Sequence, residues 1–285
     1  MVTESQEVKA VMDKAREYFD IKQYKNAKLM YFQAYNHVKN PKTQAIIWAE
    51  LSWVYYYEKN FEKAIEAVEN VLMCDDKYKA LDDLYRVQGY AYIGLNKLEL
   101  AAKFLKLSLE TNAQADKQQY AKYELGKLYF IQGNYDLAYP YFIETLDFYS
   151  NSHEEYTMSI LFYLGFIHYY LRNYKKSQEN FEQILKSKPS DKRKASAYFG
   201  LAFLEFHNKN YLNVVTLCEK IISMDNNFFD KESVAFLTAA SYFYLGRKDI
   251  FQEYSKQLMK TYPQGRYQKE LENLNKQNPQ QDVIR

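Results

Sequence analysis

The sequence predicts an all-α protein: a right-handed superhelical solenoid of about seven helix-turn-helix repeats with a short carboxy-terminal capping helix. Three observations carry that prediction. First, a pair of small residues twelve positions apart returns every 37 to 39 residues: Ala15/Ala27, Ser52/Ala64, Gly89/Ala101, Gly126/Ala138, Gly165/Ser177 and Ala202/Val214. Second, a turn falls between the members of each pair, often Asn followed by an aromatic, as in Asn60-Phe61, Asn134-Tyr135, Asn173-Tyr174 and Asn210-Tyr211. Third, 285 residues contain only 8 Gly and 5 Pro, too little turn material for a chain of strands. A repeat of this length is one supersecondary unit that buries its apolar face only against its neighbours, so it overrides the two-domain expectation that length alone suggests.

The repeats read as residues 8–41, 45–78, 82–115, 119–152, 158–191, 195–228 and 232–265, within one solenoid over 1–276 and a polar tail over 277–285. Each holds two amphipathic helices. In the second repeat Trp48, Leu51 and Tyr55 form the first stripe and Ala64, Val68 and Val71 answer it. Tyr85 and Tyr92 face Ala101 and Leu105 in the third. Leu125, Gly126 and Tyr129 face Ala138, Phe142 and Leu146 in the fourth, where Gly133-Asn134 ends the first helix and Pro140 is expected near the first turn of the second. Leu161, Leu164 and His168 face Phe181 and Ile184 in the fifth, and Tyr198 and Leu201 face Cys218 and Ile221 in the sixth. The seventh repeat has two registers, Ala239 with Phe251 or Ala240 with Gln252. A glycine inside a helix costs about 1 kcal/mol relative to alanine. Gly89, Gly126 and Gly165 therefore imply backbones that approach closely. Leu271 and Leu274 mark the capping helix.

These residues resemble the tetratricopeptide repeat family, whose pattern is a Trp or Tyr, Leu-Gly, Tyr, then Ala, an aromatic and often Pro. The second repeat carries Trp48, Leu51, Tyr55 and Ala64. The fourth carries Leu125, Gly126, Tyr129, Ala138 and Phe142, and the fifth Leu164, Gly165, Phe181 and Pro189. The units exceed the family's usual length by about three residues, and endings such as 186–190 and 260–267 look like the bacterial form. The resemblance implies a protein-interaction scaffold or adaptor with first helices lining a concave groove. One family activity, gripping chaperone tails with a clamp of Lys, Asn and Arg, is not expected. The matching positions hold Met12, Arg16, Glu50, Asp83 and Val87.

Composition narrows the function further. Lys and Arg total 38 against 36 Asp and Glu, a net charge of +2, which argues against a nucleic-acid footprint. No run approaches ~18 apolar residues, so no membrane span is expected. The amino terminus has no apolar core of a secretory signal. With Met1 as the native start the reading is cytoplasmic; with an export signal removed it is periplasmic or envelope-associated. Phosphate loops, nucleophile elbows and metal-ligand spacings are missing from the sequence, so no catalytic site, metal or cofactor is expected. Cys74 and Cys218 lie repeats apart on apolar stripes and read as buried free thiols. His168 stands where the stripe elsewhere has Tyr and reads as a core histidine. The acid pairs Asp75-Asp76, Asp82-Asp83 and Glu154-Glu155 read as complements of helix dipoles. The basic run Lys186, Lys188, Lys192, Arg193 and Lys194 reads as a solvated loop or, more sharply, as a contact for an acidic partner.

Aromatics are 18% of the chain, with 30 Tyr and 18 Phe. Many fall on the first-helix face turned away from the second helix. The expected partner-binding residues are Trp53, Tyr57, Tyr90, Tyr123, Tyr163, Phe166 and Tyr170, on a largely uncharged groove that takes a peptide or helical segment. Replacing Tyr123, Tyr163 and Phe166 with Ala is expected to abolish binding and spare the helices. The rival expectation is a structural subunit of a larger bacterial envelope or motility assembly that uses its convex face and ends. Homo-oligomerisation stays open at this point.

Overall fold

The computed structural model describes residues 4–111, 115–150 and 153–277. Among them the regular elements are helices: α1 (Glu4–Asp20), α2 (Tyr24–Asn36), α3 (Pro41–Tyr57), α4 (Phe61–Cys74), α5 (Leu81–Gly94), α6 (Leu98–Glu110), α7 (Ala115–Ile131), α8 (Tyr135–Tyr149), α9 (Glu154–Tyr170), α10 (Tyr174–Lys186), α11 (Asp191–His207), α12 (Tyr211–Met224), α13 (Lys231–Tyr244), α14 (Lys248–Thr261) and α15 (Gln268–Lys276). The chain forms two compact units, Met1–Thr145 and Leu146–Arg285. Within each, first and second helices pair in chain order and each pair packs on the next. The expected tail beyond Gln277 lies outside the described residues.

One turn geometry closes every pair. Lys22, Lys59, Asn96, Gly133, Arg172, Lys209 and Gly246 all have left-handed backbones, with φ between 56° and 75°. They recur with the period of the small-residue motif. The next residue donates its N–H to the carbonyl five residues back: Gln23 to Tyr18 at 2.8 Å, Asn60 to Tyr55 at 2.9 Å, Asn173 to His168 at 2.7 Å and Asn210 to Glu205 at 2.9 Å. This hydrogen-bond pair satisfies carbonyls that a helix end leaves open. The left-handed residue is Gly at only two of these turns, and elsewhere a Lys, Arg or Asn bears a strain of roughly 1–2 kcal/mol. The Asn that follows is not itself left-handed. It is the N-cap of the second helix, with φ near −90° at Asn60, Asn173 and Asn210. Pro140 lies at the sixth residue of α8, one turn deeper than expected, and α8 continues to Tyr149.

The small pairs sit where the helices of a pair touch. Ala15, Ala27, Ser52, Ala64, Ala101, Ala138, Ser177, Ala202 and Val214 are all buried. The tightest point is Phe181 of α10. A Cβ on Gly165 would stand 2.5 Å from its ring, and one on Gly200 would stand 2.2 Å away. One second-helix aromatic is thus packed against the glycines of two successive first helices, and neither glycine has room for a methyl group. In the seventh repeat the left-handed Gly246 fixes the register as Ala239 with Phe251, both fully buried.

The carboxy-terminal end is closed as the capping-helix expectation requires. Leu271 and Leu274 of α15 are buried in a cluster with Ala239, Ala240, Phe251 and Leu258. Tyr267 stacks on Phe236 at 4.0 Å and 6°. Arg266 bonds Asp230 at 2.5 Å and Glu232 at 3.3 Å.

Cys218 is buried, and burial pushes its thiol up to about 11. Cys74 is only half-buried, at the end of α4, less enclosed than its apolar stripe suggests. His168 is buried, and its pKa is lowered by burial and by Lys176, with Glu179 opposing.

Two predictions follow from this packing. Gly165→Ala gains about 1 kcal/mol of helix propensity but overpacks Phe181 at a cost of about 1–3 kcal/mol. A lower urea midpoint is therefore expected, and an unchanged or higher one contradicts the close approach. His168 is held neutral in the fold. Below its ordinary value of 6.5 the unfolded chain takes up a proton that the folded chain refuses, so its contribution weakens as pH falls. His168→Tyr, which restores the residue of five of the other six repeats, should widen its thermal-stability lead over the wild type from pH 7 to pH 5.

A candidate partner-binding face

First helices also meet one another: α3 touches α5, α9 touches α11, and α11 touches α13. Among the described residues no two second helices pack this closely, so the first helices lie on the inner side of each unit. Their inward stripes differ between the units.

In unit 1 the stripe mixes rings and charges. Trp53 meets Tyr56, Tyr57 and Tyr90 at 5.9, 6.3 and 6.0 Å, and Tyr57 stacks on Tyr24 at 5.4 Å. The Arg86 guanidinium lies 5.1 Å over Trp53 and pairs with Asp83. Arg16 of α1 pairs with Glu50 of α3 at 2.9 Å, and Lys117 of α7 with Asp83 of α5 at 2.8 Å. Burial raises the Tyr56 phenol to about 12, with Glu124 and Tyr57 adding to the effect, so it is neutral at physiological pH. The expectation of a largely uncharged surface therefore does not describe unit 1. Arg16, the single cation at the clamp positions read from the sequence, is engaged by Glu50 and Asp13.

In unit 2 the stripe is mainly aromatic. Phe166 of α9 lies within 5.0–5.8 Å of Phe162, Phe181, Phe199 and Phe203. Tyr169 reaches Phe203 at 5.9 Å. Down α11 the inward positions read Ser196, Phe199, Phe203 and His207, and His207 stacks on Tyr174 at 4.0 Å. Phe228 and Phe229, from the loop between α12 and α13, close this surface. Phe229 is 66% exposed yet stands edge-on to both Phe199 at 5.8 Å and Phe162 at 6.0 Å.

The expected binding residues thus fall into two groups by unit and three classes of exposure. Trp53, Tyr57, Tyr90 and Tyr123 belong to unit 1, and Tyr163, Phe166 and Tyr170 to unit 2. Tyr57 and Tyr170 are exposed, at 47% and 46%. Trp53, Tyr90 and Tyr163 are half-buried. Tyr123 and Phe166 are buried, at 8% and 4% exposure. Phe166 packs against Phe181, and Tyr123 lies 6.2 Å from Phe142. The Tyr123, Tyr163 and Phe166 triple replacement therefore removes core and cannot spare the fold. Phe229 was not among the sequence candidates. Its signal is the repeat period: it stands 37 residues after Lys192, at the mouth of the next first helix.

No group of three His, Cys, Asp or Glu side chains comes together as metal ligands would among the described residues. No helix among them is long and apolar enough to cross a membrane. A cleft of about 530 Å³ in unit 1 is lined by Val8, Met12, His37, Lys39 and Ile46. The burial difference makes a prediction. Phe166→Ala should cost about 3–5 kcal/mol of stability, whereas Tyr170→Ala should change it by about 0.5 kcal/mol or less. Denaturant titration of the two variants compares them, and equal costs contradict the placement.

Residues 118–190 match the sequence profile of the tetratricopeptide repeat family. A tetratricopeptide repeat-containing protein of Methanocaldococcus jannaschii is 23% identical over 264 residues, covering 86% of this chain and 41% of that protein. The chain thus spans about two fifths of that relative's length. Among solved structures, the apo form of the quorum sensor NprR from B. thuringiensis superposes with a TM-score of 0.76 at 12% identity, covering 94% of this chain and 80% of that one. The apo form of RapI gives 0.63 at 18% identity, covering 91% and 100%. YrrB, described as a TPR protein with an unusual peptide-binding site, gives 0.53 at 15% identity, covering 69% and 93%. At these identities the structures speak for the fold alone. Residues 118–190 thus carry the tetratricopeptide-repeat pattern, and the described residues share the fold of tetratricopeptide-repeat solenoids, which serve in general as protein-interaction scaffolds.

Proposed function

We propose that the chain is a non-catalytic scaffold that holds a peptide or helical segment of a partner protein on the inner aromatic face of unit 2. The observation that carries this reading is the exposure of Tyr170 and Phe229 on a face that otherwise consists of packed rings. Soluble surfaces rarely leave clustered aromatics open without an occupant. Tyr and Phe supply large contact area at low entropic cost and recur in interface cores. The peptide-binding site named for YrrB supports the reading by likeness of fold.

Magnitudes make it feasible. Burying one Tyr or Phe removes at most ~250 Å² from water, worth up to about 6 kcal/mol. A micromolar complex needs about 8 kcal/mol net, after association costs of ~4–15 kcal/mol. Partly exposed rings supply a fraction each, so Tyr163, Tyr170, Phe203 and Phe229 supply part of this, and the apolar side chains that the partner buries against them supply the rest.

A second reading, a structural subunit that docks by its outer face, has one observation of its own. The outward side of α8 carries exposed Leu137, Pro140 and Ile143, and Leu100 of α6 is exposed as well. Glu62, Glu66 and Glu69 are exposed on α4, and Lys175, Lys176 and Glu179 on α10. Two variants separate the readings, each with its far-UV circular dichroism checked. Tyr170→Ala with Phe229→Ala should weaken capture of the native partner at least about 10-fold, and Leu137→Lys with Ile143→Lys should leave capture unchanged. The reverse pattern favours the outer face.

A further inference from the structure

The basic run between α10 and α11 is not used by the face described above, and its surroundings give it a role. Lys186, Lys188 and Lys192 are exposed and Arg193 is half-buried. The one acid in the run, Asp191, is taken by Lys194 at 2.9 Å. Among the described residues none of Lys186, Lys188, Lys192 and Arg193 has a carboxylate partner. This is unlike the first helices of unit 1, where Arg16, Lys117 and Lys127 are matched by Glu50, Asp83 and Glu124. Pro189 is buried and roots the loop that presents them.

The position of Lys192 links this charge to the aromatic face. Lys192, Ser196, Phe199 and Phe203 follow the i, i+4, i+7, i+11 pattern of a single helix face, and the Ser196 hydroxyl bonds the Lys192 carbonyl at 3.2 Å. The α11 stripe therefore starts basic and becomes aromatic. The start of α11 adds the partial positive charge of a helix amino terminus. At the equivalent place α9 has Glu155, and the segment leading into α13 has Phe229.

We infer that the segment held by unit 2 is acidic: a peptide of another protein that sets a large apolar residue beside Phe229 and Phe199 and a carboxylate against Lys192 and Arg193. This rests on the proposed function and specifies its partner. Along α11 the two points are about 10 Å apart at 1.5 Å per residue. An extended peptide covers that distance in about three residues. The acid is thus expected about three positions from the apolar anchor. Charge complementarity at the rim also raises the association rate and weakens with salt. A flat anionic membrane would meet the cations but not the inward-facing rings, so the peptide is the better fit.

The test is selection of a random displayed peptide library on the full chain, with fluorescence anisotropy on the enriched peptides. Lys192→Glu with Arg193→Glu places acids at a helix amino terminus, where they favour the helix, so this variant should fold. Enriched peptides should pair Asp or Glu with an aromatic or large aliphatic residue about three positions away. Their affinity should fall about 10-fold or more in the charge-reversed variant, and also in Phe229→Ala. Enriched peptides without acids, bound equally by the wild type and the charge-reversed variant, overturn the acidic partner and leave the aromatic face standing. Acidic peptides indifferent to Phe229→Ala and displaced by phosphatidylserine vesicles overturn it in favour of a general anion surface. Failure to enrich any peptide overturns both readings.

Discussion

Every repeat depends on how close its two helices can come. The ring of Phe181 makes the constraint plain: it fills the space that side chains at Gly165 and Gly200 would need. Where the small residue is Ala or Ser the same contact is made with a fully buried side chain. Close approach fixes which side of a first helix is turned to its partner. The left-handed turn after it returns the chain at the right distance to make the contact. With that side committed, the rest of a first helix is left for the neighbouring first helices and for the inner surface.

The two units use that remaining surface differently. In unit 1, ion pairs between successive first helices, Arg16 with Glu50 and Lys117 with Asp83, interleave with Trp53, Tyr57 and Tyr90. Such half-exposed pairs contribute little each, on the order of 0–1 kcal/mol, but they leave the charges matched. In unit 2 the first helices meet through rings. Phe166, Phe199 and Phe203 pack edge-on and tilted, contacts worth roughly 0.5–1.5 kcal/mol each beyond burial. The cations at the mouth of α11 are left without such matching. Unit 2 therefore combines exposed rings, Tyr170 of α9 and Phe229 of the loop before α13, with cations at the start of α11 that no carboxylate matches.

The architecture was legible because its causes are local. Small residues twelve apart, an Asn cap before an aromatic, and Leu271 with Leu274 at the end each act within a few residues of themselves. The left-handed Lys22, Lys59 and Lys209 were not legible, since lysine carries no preference for that backbone and only the repeat forces it. Tyr123 and Phe166 could not be told from surface aromatics by spacing. A first helix packs on its second helix and on first helices to either side, so more of its circumference is buried than one stripe implies. Phe229 was not legible because it lies in a loop, outside the helical pattern of the others.

The central claim is that the inner aromatic face of unit 2 is the surface that meets a partner. Placing the photo-crosslinking residue p-benzoylphenylalanine at position 170, at position 229 and, on the outer face of α12, at exposed Thr216 tests it in the native cell. The account predicts that positions 170 and 229 crosslink to one contiguous segment of one partner, mapped by mass spectrometry, and that position 216 does not. Crosslinks from position 216 alone, or unrelated proteins captured at 170 and 229, would contradict it.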